Sequence, residues 1–327
     1  MLVKAIQVQK LGGPEVLELT DMPMPEPKAG QVRLRVQAVG LNFADILNVN
    51  GEYLTRARTP FVPGMEMAGV IDALGEGVPE NYPALELGQL VAALGPGAFA
   101  EYAVVHAAAV FPIPANLNAR EAAALPVSYY TAFFALRTLG QAKTGETVLI
   151  EAGAGALGTA TIQLAKEMGL KIIALASKDD KLELTRSLGA DHAFLNTGDY
   201  RDLVLEATGG KGVDIMCSIV GGPGFQDRLT MMNSRGRVMV IGNASRESAN
   251  LTPTALMTKN VSVIGVWLTP LVSDAAAMLE ASQFIGPLIA SGKVKPIVGR
   301  AFKLEDAGEA FTFMLSRQNT GKVVIEP

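Results

Sequence analysis

Gly153-Ala154-Gly155-Ala156-Leu157-Gly158 follows the strand-like run at 147–151 and opens a helical pattern. No other stretch of the chain limits the fold as much. In G-x-G-x-x-G the first glycine permits a tight strand-to-helix turn, the second lets backbone approach a pyrophosphate, and the third lets the helix pack closely on the strand. The helix N-terminus then aims free N–H groups and a partial positive charge at the phosphates. A bare glycine pattern also fits a loop with no ligand. The flanking strand and helix favour a dinucleotide, held at its diphosphate by Gly153, Gly155, Ala156, Leu157 and Gly158.

Around this loop the pattern is strand, helix, strand in series. Strands are expected at 147–151, 171–176, 193–195, 213–220, 237–242 and 261–266. Ile172-Ile173-Ala174-Leu175, like Val148-Leu149-Ile150, has no polar face, which suits a parallel strand buried on both sides. Between the first two strands, Leu157, Leu164, Ala165 and Met168 share one side of a helix that Gly169 terminates. Leu182, Thr185 and Leu188 repeat the pattern before Gly189. Such a series implies right-handed crossovers and an α/β fold with a doubly wound parallel sheet.

The N-terminal part reads differently. Arg33-Leu34-Arg35-Val36-Gln37-Ala38-Val39 alternates as a half-buried strand does, and Pro-rich segments such as Met22-Pro23-Met24-Pro25-Glu26-Pro27 interrupt the chain. An irregular, mostly β domain is expected. Beyond Trp267 come a helix at 274–289, a strand-like stretch at 293–302, a helix at 304–315 and a terminal strand at 322–326. This tail is too short to fold alone, so it is assigned to the N-terminal domain. The expected organisation is a discontinuous catalytic or substrate domain, 1–120 and 267–327, with a dinucleotide-binding domain, 121–266, inserted in it.

Composition removes several function classes. Apolar residues make up 49% of the chain and charged ones 18%, enough to order it without disulfides or metals. The net charge of −4 carries no basic run of the kind that neutralises many phosphates, so no nucleic acid is expected as a partner. Cys217 is the only cysteine, which excludes an intrachain disulfide and a zinc site of several thiolates, and fits a reducing compartment. The opening Met1-Leu2-Val3-Lys4-Ala5-Ile6 lacks a signal-peptide core, and no apolar run reaches the roughly 18–20 residues of a membrane span. A soluble cytoplasmic protein is expected.

The second strand bears on the choice of cofactor. An NAD enzyme offers an Asp or Glu roughly 20 residues past the loop to accept from the ribose 2′-hydroxyl. Here Ala174-Leu175-Ala176 runs into Ser177-Lys178, with Lys181 one helical turn on. A hydroxyl and ammonium groups in place of a carboxylate favour NADPH. Ser177 with Asp180 also reads as a capping box with no meaning for the cofactor, and Asp179 and Asp180 would weaken a phosphate site.

With these features in view, the chain resembles the zinc-free quinone oxidoreductase branch of the medium-chain dehydrogenase/reductase superfamily, which includes zeta-crystallin. The markers run along nearly the whole sequence. They include Gly40-Leu41-Asn42-Phe43-Ala44-Asp45, Pro63-Gly64-Met65-Glu66-Met67-Ala68-Gly69, Gly97-Ala98-Phe99-Ala100-Glu101-Tyr102 and Leu125-Pro126-Val127. Thr131-Ala132, the glycine loop, Leu188-Gly189-Ala190 and Lys259-Asn260 continue the series. The resemblance implies a Rossmann domain inserted in a GroES-like catalytic domain. Zinc-dependent relatives place a Cys near Asn42 and a His at the position of Met65; neither is present, and no metal is expected. Neither His106 nor His192 has a ligand neighbour at metal spacing. The resemblance further implies a cofactor in a cleft between domains, its nicotinamide near Asn42, Thr131, Gly242 and Asn243, and its 2′-phosphate near Ser177, Lys181 and Arg317. Where relatives carry Asn-Tyr after the third strand, this chain has Asn196-Thr197.

Without a metal to polarise an alcohol or ketone, the expected acceptor is one already poor in electrons. A quinone takes hydride directly from nicotinamide, and the protein supplies orientation and hydrogen bonds to the oxygen that gains charge. Asn42 and Tyr53 are the candidates for that role; Tyr53 as a cleft-lining residue without chemistry is the alternative. Tyr129, Tyr130 and Trp267 are either flat apolar walls or core. Two other functions stay open: reduction of the C=C bond of an enal, enone or enoyl thioester, and a non-catalytic NADPH-binding role, crystallin-like or RNA-binding. The apolar Val261-Ser262-Val263-Ile264-Gly265-Val266 would form a sheet edge, and pairing there across a two-fold axis suggests a homodimer.

Overall fold

The computed structural model describes residues 1–55 and 57–327, which form two compact units. One comprises Met1–Val127 and Ile289–Pro327, the other Ser128–Leu288. The second boundary lies past the expected 266/267. The physical reason is the helix Ala275–Ala290, whose side chains join the second unit: Phe284 packs on Phe133 with ring centroids 5.5 Å apart, and Ser282 bonds the Tyr130 hydroxyl at 2.9 Å. Its apolar face finds aromatic partners there.

The second unit is built on a six-stranded sheet in the order His192–Leu195, Lys171–Ala176, Thr147–Ile150, Val213–Ser218, Met232–Val240, Ser262–Gly265. Every neighbouring pair is parallel. Counted along the chain this is 3-2-1-4-5-6, the doubly wound Rossmann order, whose direction of winding reverses between Thr147–Ile150 and Val213–Ser218. Side chains alternate between two cores, as the period of a strand requires. Val148, Ile150, Ile172, Ile215 and Cys217 enter one, while Leu149, Ile173, Leu175 and Met216 enter the other. The fifth strand begins earlier than the expected 237, because Met232 pairs with Val213 before a bulge and only then does Arg237 meet Ile215.

The first unit is mostly β. Its longest strand, Gln31–Leu41, pairs antiparallel with Glu66–Leu74, Tyr102–His106 and Lys322–Glu326. Lys322–Glu326 in turn runs parallel to Val298–Lys303. The C-terminal strand therefore completes an N-terminal sheet, and Val323 and Ile325 enter the same core as Val39, Leu41, Ile46 and Met67. That insertion brings Lys322 beside residues read some 280 positions earlier. Among the described residues no helix is long and apolar enough to cross a membrane.

Candidate functional site

The glycine loop lies at the reversal point of the parallel sheet. It connects Thr147–Ile150 to the helix Ala156–Glu167, whose N-cap is Gly155 with no side-chain hydrogen bond. The first N–H groups of an α-helix have no intrahelical acceptor, and here no side chain takes their place. Gly155, Ala156 and Leu157 are only half-buried, so these groups reach a surface that an anion can approach.

The glycines divide their tasks differently from the sequence expectation. The left-handed residue of the turn is Ala152, at φ +50°, not Gly153. Gly153 is a packing glycine. A Cβ there would meet Ala174 Cβ at 3.0 Å and Thr185 Cγ2 at 3.1 Å, while its N–H donates to Leu175 O at 2.8 Å. Gly158 is the most constrained: a Cβ would lie 2.3 Å from Ala152 O and 2.6 Å from Gly153 Cα. Gly155 meets only Ala152 O, at 3.3 Å, which leaves its outer side open to a ligand.

Glu151, which precedes the loop, was expected only as a strand end. Its side chain is 4% exposed and joins the two strands at the reversal point. Oε2 accepts from the N–H groups of Ile219 and Val220, both at 2.9 Å, and from Ser218 Oγ at 3.2 Å. Arg228 Nε stands 2.9 Å from Oε1 without being aimed at it, and Nη2 donates to Gly221 O at 2.7 Å. Arg228 thus offsets a carboxylate that would otherwise repel phosphate. Beside it, burial and the Glu151 charge push the Cys217 thiol up to about 12, so it stays protonated at neutral pH.

Ser177 and Lys178 leave the sheet next to the loop and are exposed. The helix Asp179–Leu188 has Lys178, not Ser177, as its N-cap, and Leu182 N–H closes its first turn on Lys178 O at 3.1 Å. The capping-box reading of Ser177 with Asp180 is therefore incorrect, since the helix starts one residue later. Lys181 is 7% exposed, and burial lowers its pKa. Gly242 follows the fifth strand, with its N–H 3.4 Å from Ser218 O; Asn243 is exposed and folds its own loop, donating to Glu247 O at 3.1 Å and accepting from Ser245 at 2.9 Å. Loop, Ser177 and Gly242 all leave the same C-terminal edge of the sheet, where ligands of this architecture bind. Thr131, on the helix Pro126–Phe133, is 7% exposed. Tyr129 and Tyr130 are core, not walls, at 2% and 4% exposed; burial raises the Tyr129 phenol above its ordinary pKa.

In the first unit, Asn42 and Tyr53 stand at opposite ends of the helix Phe43–Asn50. Asn42 N–H donates to Asp45 Oδ2 at 2.8 Å, and Tyr53 N–H closes the other end on Leu47 O at 3.1 Å. The Asn42 amide is engaged within the unit. Nδ2 donates to Glu66 Oε1 at 2.8 Å and Gly40 O at 3.2 Å, and Oδ1 accepts from Lys322 Nζ at 2.7 Å. Lys322 also pairs with Glu66 Oε1, and Glu66 Oε2 accepts from Val127 N–H at 2.7 Å. Asn42 thus has no amide proton left for a substrate oxygen. Tyr53 is half-buried. Arg317 is exposed beyond the helix Ala307–Leu315, at φ +57°. His106 and His192 are both exposed, and among the described residues no three His, Cys, Asp or Glu side chains converge as a metal requires.

Two family descriptions match the chain: an alcohol dehydrogenase GroES-like domain over residues 28–115 and a zinc-binding dehydrogenase over 156–283. A quinone oxidoreductase of Rattus norvegicus is 33% identical over 332 residues, covering 99% of this chain and 98% of its own. The quinone oxidoreductase of Thermus thermophilus, solved alone and with NADPH, is 42% identical at a TM-score of 0.87, covering 99% of this chain and all of its own. That of Escherichia coli, solved with NADPH, is 27% identical at 0.91, with the same coverage.

Proposed function

The chain belongs to the quinone oxidoreductase family of the medium-chain dehydrogenase/reductase superfamily, and within it we propose an NADPH-dependent reductase that transfers hydride to a quinone. The observation that carries this reading is the uncapped helix N-terminus behind Gly155 at the reversal point of the sheet, with Ser177 and Lys178 rather than a carboxylate beyond the adjacent strand. The loop amides of 155–158 hold the diphosphate, and Ser177, Lys178 and Lys181 the 2′-phosphate. Thr131, Gly242 and Asn243 attend the nicotinamide end.

When bound, NADPH supplies the hydride. The chain's own residues orient the acceptor and stabilise the oxygen that gains charge. Tyr53 is the donor in this role, because its hydroxyl is a proton source and the amide of Asn42 is committed elsewhere; Asn42 acts through position. Zinc plays no part in this reading, since Met65 and Asn42 replace the ligand types. The Met1–Val127 and Ile289–Pro327 unit is assigned the substrate and the Ser128–Leu288 unit the cofactor. A homodimer through the edge strand Ser262–Gly265 and a cytoplasmic location complete the proposal.

The experiment is NADPH oxidation across a panel of quinones, enals, enones and enoyl thioesters, with NADH in parallel and with a chelator present. Quinones should give the highest kcat/KM, NADPH should exceed NADH, and the chelator should change nothing. Faster turnover of a C=C acceptor would transfer the assignment to that reaction. NADPH binding without turnover of any acceptor would point to a non-catalytic protein.

A further inference from the structure

Glu66 and Lys322 are the least accessible charged pair described in the first unit, at 0% and 1% exposed. Burying two charges is costly unless each is fully partnered, and the pair gains nothing over apolar packing by its own attraction. Its partners show what it is for. Both side chains converge on Asn42, which receives Lys322 Nζ at Oδ1 and gives Nδ2 to Glu66 Oε1. Gly40 makes room for them: a Cβ there would lie 2.6 Å from Glu66 Oε1, 2.7 Å from Lys322 Cε and 2.4 Å from Ala123 O. Three residues from three strands are therefore built around the amide of a single helix cap.

That amide begins the helix Phe43–Asn50. Asn42 and Asp45 exchange bonds across its first turn, Asn42 N–H to Asp45 Oδ2 at 2.8 Å and Asp45 N–H to Asn42 O at 3.0 Å. Ile46 and Val49 anchor its inner face at 1% and 0% exposed. At the far end, Gly51 at φ +77° reverses the chain, and the N–H groups of Glu52 and Tyr53 both bond Leu47 O. Tyr53 is thus attached to a short rigid helix whose other end is held by Asn42. Eight helical residues join the Asn42 cap to the turn that carries the tyrosine.

We propose that Glu66 and Lys322 are positioning residues, holding the Asn42 amide so that the helix Phe43–Asn50 presents Tyr53 to the reacting acceptor. This rests on the reading of Tyr53 as the proton donor in hydride transfer to a quinone. The two can be separated by a double-mutant cycle.

Lys322→Met is measured alone and combined with Tyr53→Phe, with kcat and KM for a quinone and NADPH affinity determined separately by fluorescence titration. Because removing one member of a buried pair threatens folding, Glu66→Gln with Lys322→Met serves as the second variant. It removes both charges and keeps an acceptor for Val127 N–H. The expected result is a kcat loss of about tenfold for Lys322→Met with Tyr53 intact, and under about twofold in the Tyr53→Phe background. NADPH affinity should stay unchanged throughout, and the charge-neutral double variant should show the same dependence on Tyr53. Equal losses in both backgrounds, or no loss with Tyr53 present, overturn the inference while leaving the quinone reading standing. A wild-type chain that turns over no acceptor removes both.

Discussion

Asp45 offers a test of the buried cluster that needs no substrate. Its side chain is 1% exposed; Oδ2 accepts from Asn42 N–H at 2.8 Å, and Oδ1 has no hydrogen-bond partner. Burial pushes its carboxyl from 3.8 to about 7, against the pull of the Asn42 N–H and of Lys322 and with the help of the Glu66 charge. The sign follows from where the proton resides. Between 3.8 and about 7 the native state holds a proton that the unfolded chain has released. The stability contributed by the protonated form is therefore complete below the lower value and lost as pH rises through the upper one. At about 1.36 kcal/mol per unit, the loss between pH ~5 and ~8.5 is roughly 3 kcal/mol. Asp45→Asn removes this titration but places a buried amide where no acceptor waits, at a cost of about 1–3 kcal/mol that does not vary with pH. The variant should be the less stable protein at pH ~5 and draw level with or pass wild type by pH ~8.5. In thermal melts the difference in Tm between the two should move by roughly 6–12 °C over that range, at about 2–4 °C per kcal/mol for a unit of this size. Parallel Tm-against-pH curves for variant and wild type would refute the placement of a protonated carboxyl beside Lys322 and Glu66.

Other expectations concern the cofactor end. Gly158→Ala forces a Cβ to 2.3 Å from Ala152 O, so the helix must retreat from the loop; NADPH affinity measured by fluorescence titration should fall by at least about tenfold. Ser177→Asp should reverse the ratio of kcat/KM values from NADPH toward NADH, because a carboxylate repels a 2′-phosphate and accepts from a 2′-hydroxyl; an unchanged ratio would remove Ser177 from the site. Glu151→Ala leaves the buried Arg228 charge without its counter-ion and the N–H groups of Ile219 and Val220 without their acceptor, and should lower stability to urea by about 3–5 kcal/mol. Tyr53→Phe should reduce kcat on a quinone with little change in NADPH affinity, whereas equal kcat would mark Tyr53 as a lining residue only.

Local chemistry made several elements legible in the sequence. Apolar runs such as Ile172-Ile173-Ala174-Leu175 suit strands covered on both faces, and the strand Lys171–Ala176 spans the expected residues. The glycine loop carried its own context of strand and helix, so the doubly wound sheet could be read directly. Even there, one dihedral escaped: the left-handed turn falls on Ala152, which no glycine pattern announces. The helix start at Lys178 rather than Ser177 is likewise a matter of one residue, decided by which carbonyl closes the first turn. The meetings of distant polar groups came from packing in three dimensions. Glu151 looked like the end of a strand until Arg228 and the N–H groups of Ile219 and Val220, just past the strand Val213–Ser218, converged on it. Lys322 belonged to a terminal strand until that strand entered the sheet between Val298–Lys303 and Gln31–Leu41 and brought it to Asn42. Periodicity reports which side of an element meets the core, because burial is a property of one segment and its solvent. A buried charge is tolerable only beside its partner, and the identity of that partner is set by strand pairing, which no local pattern encodes.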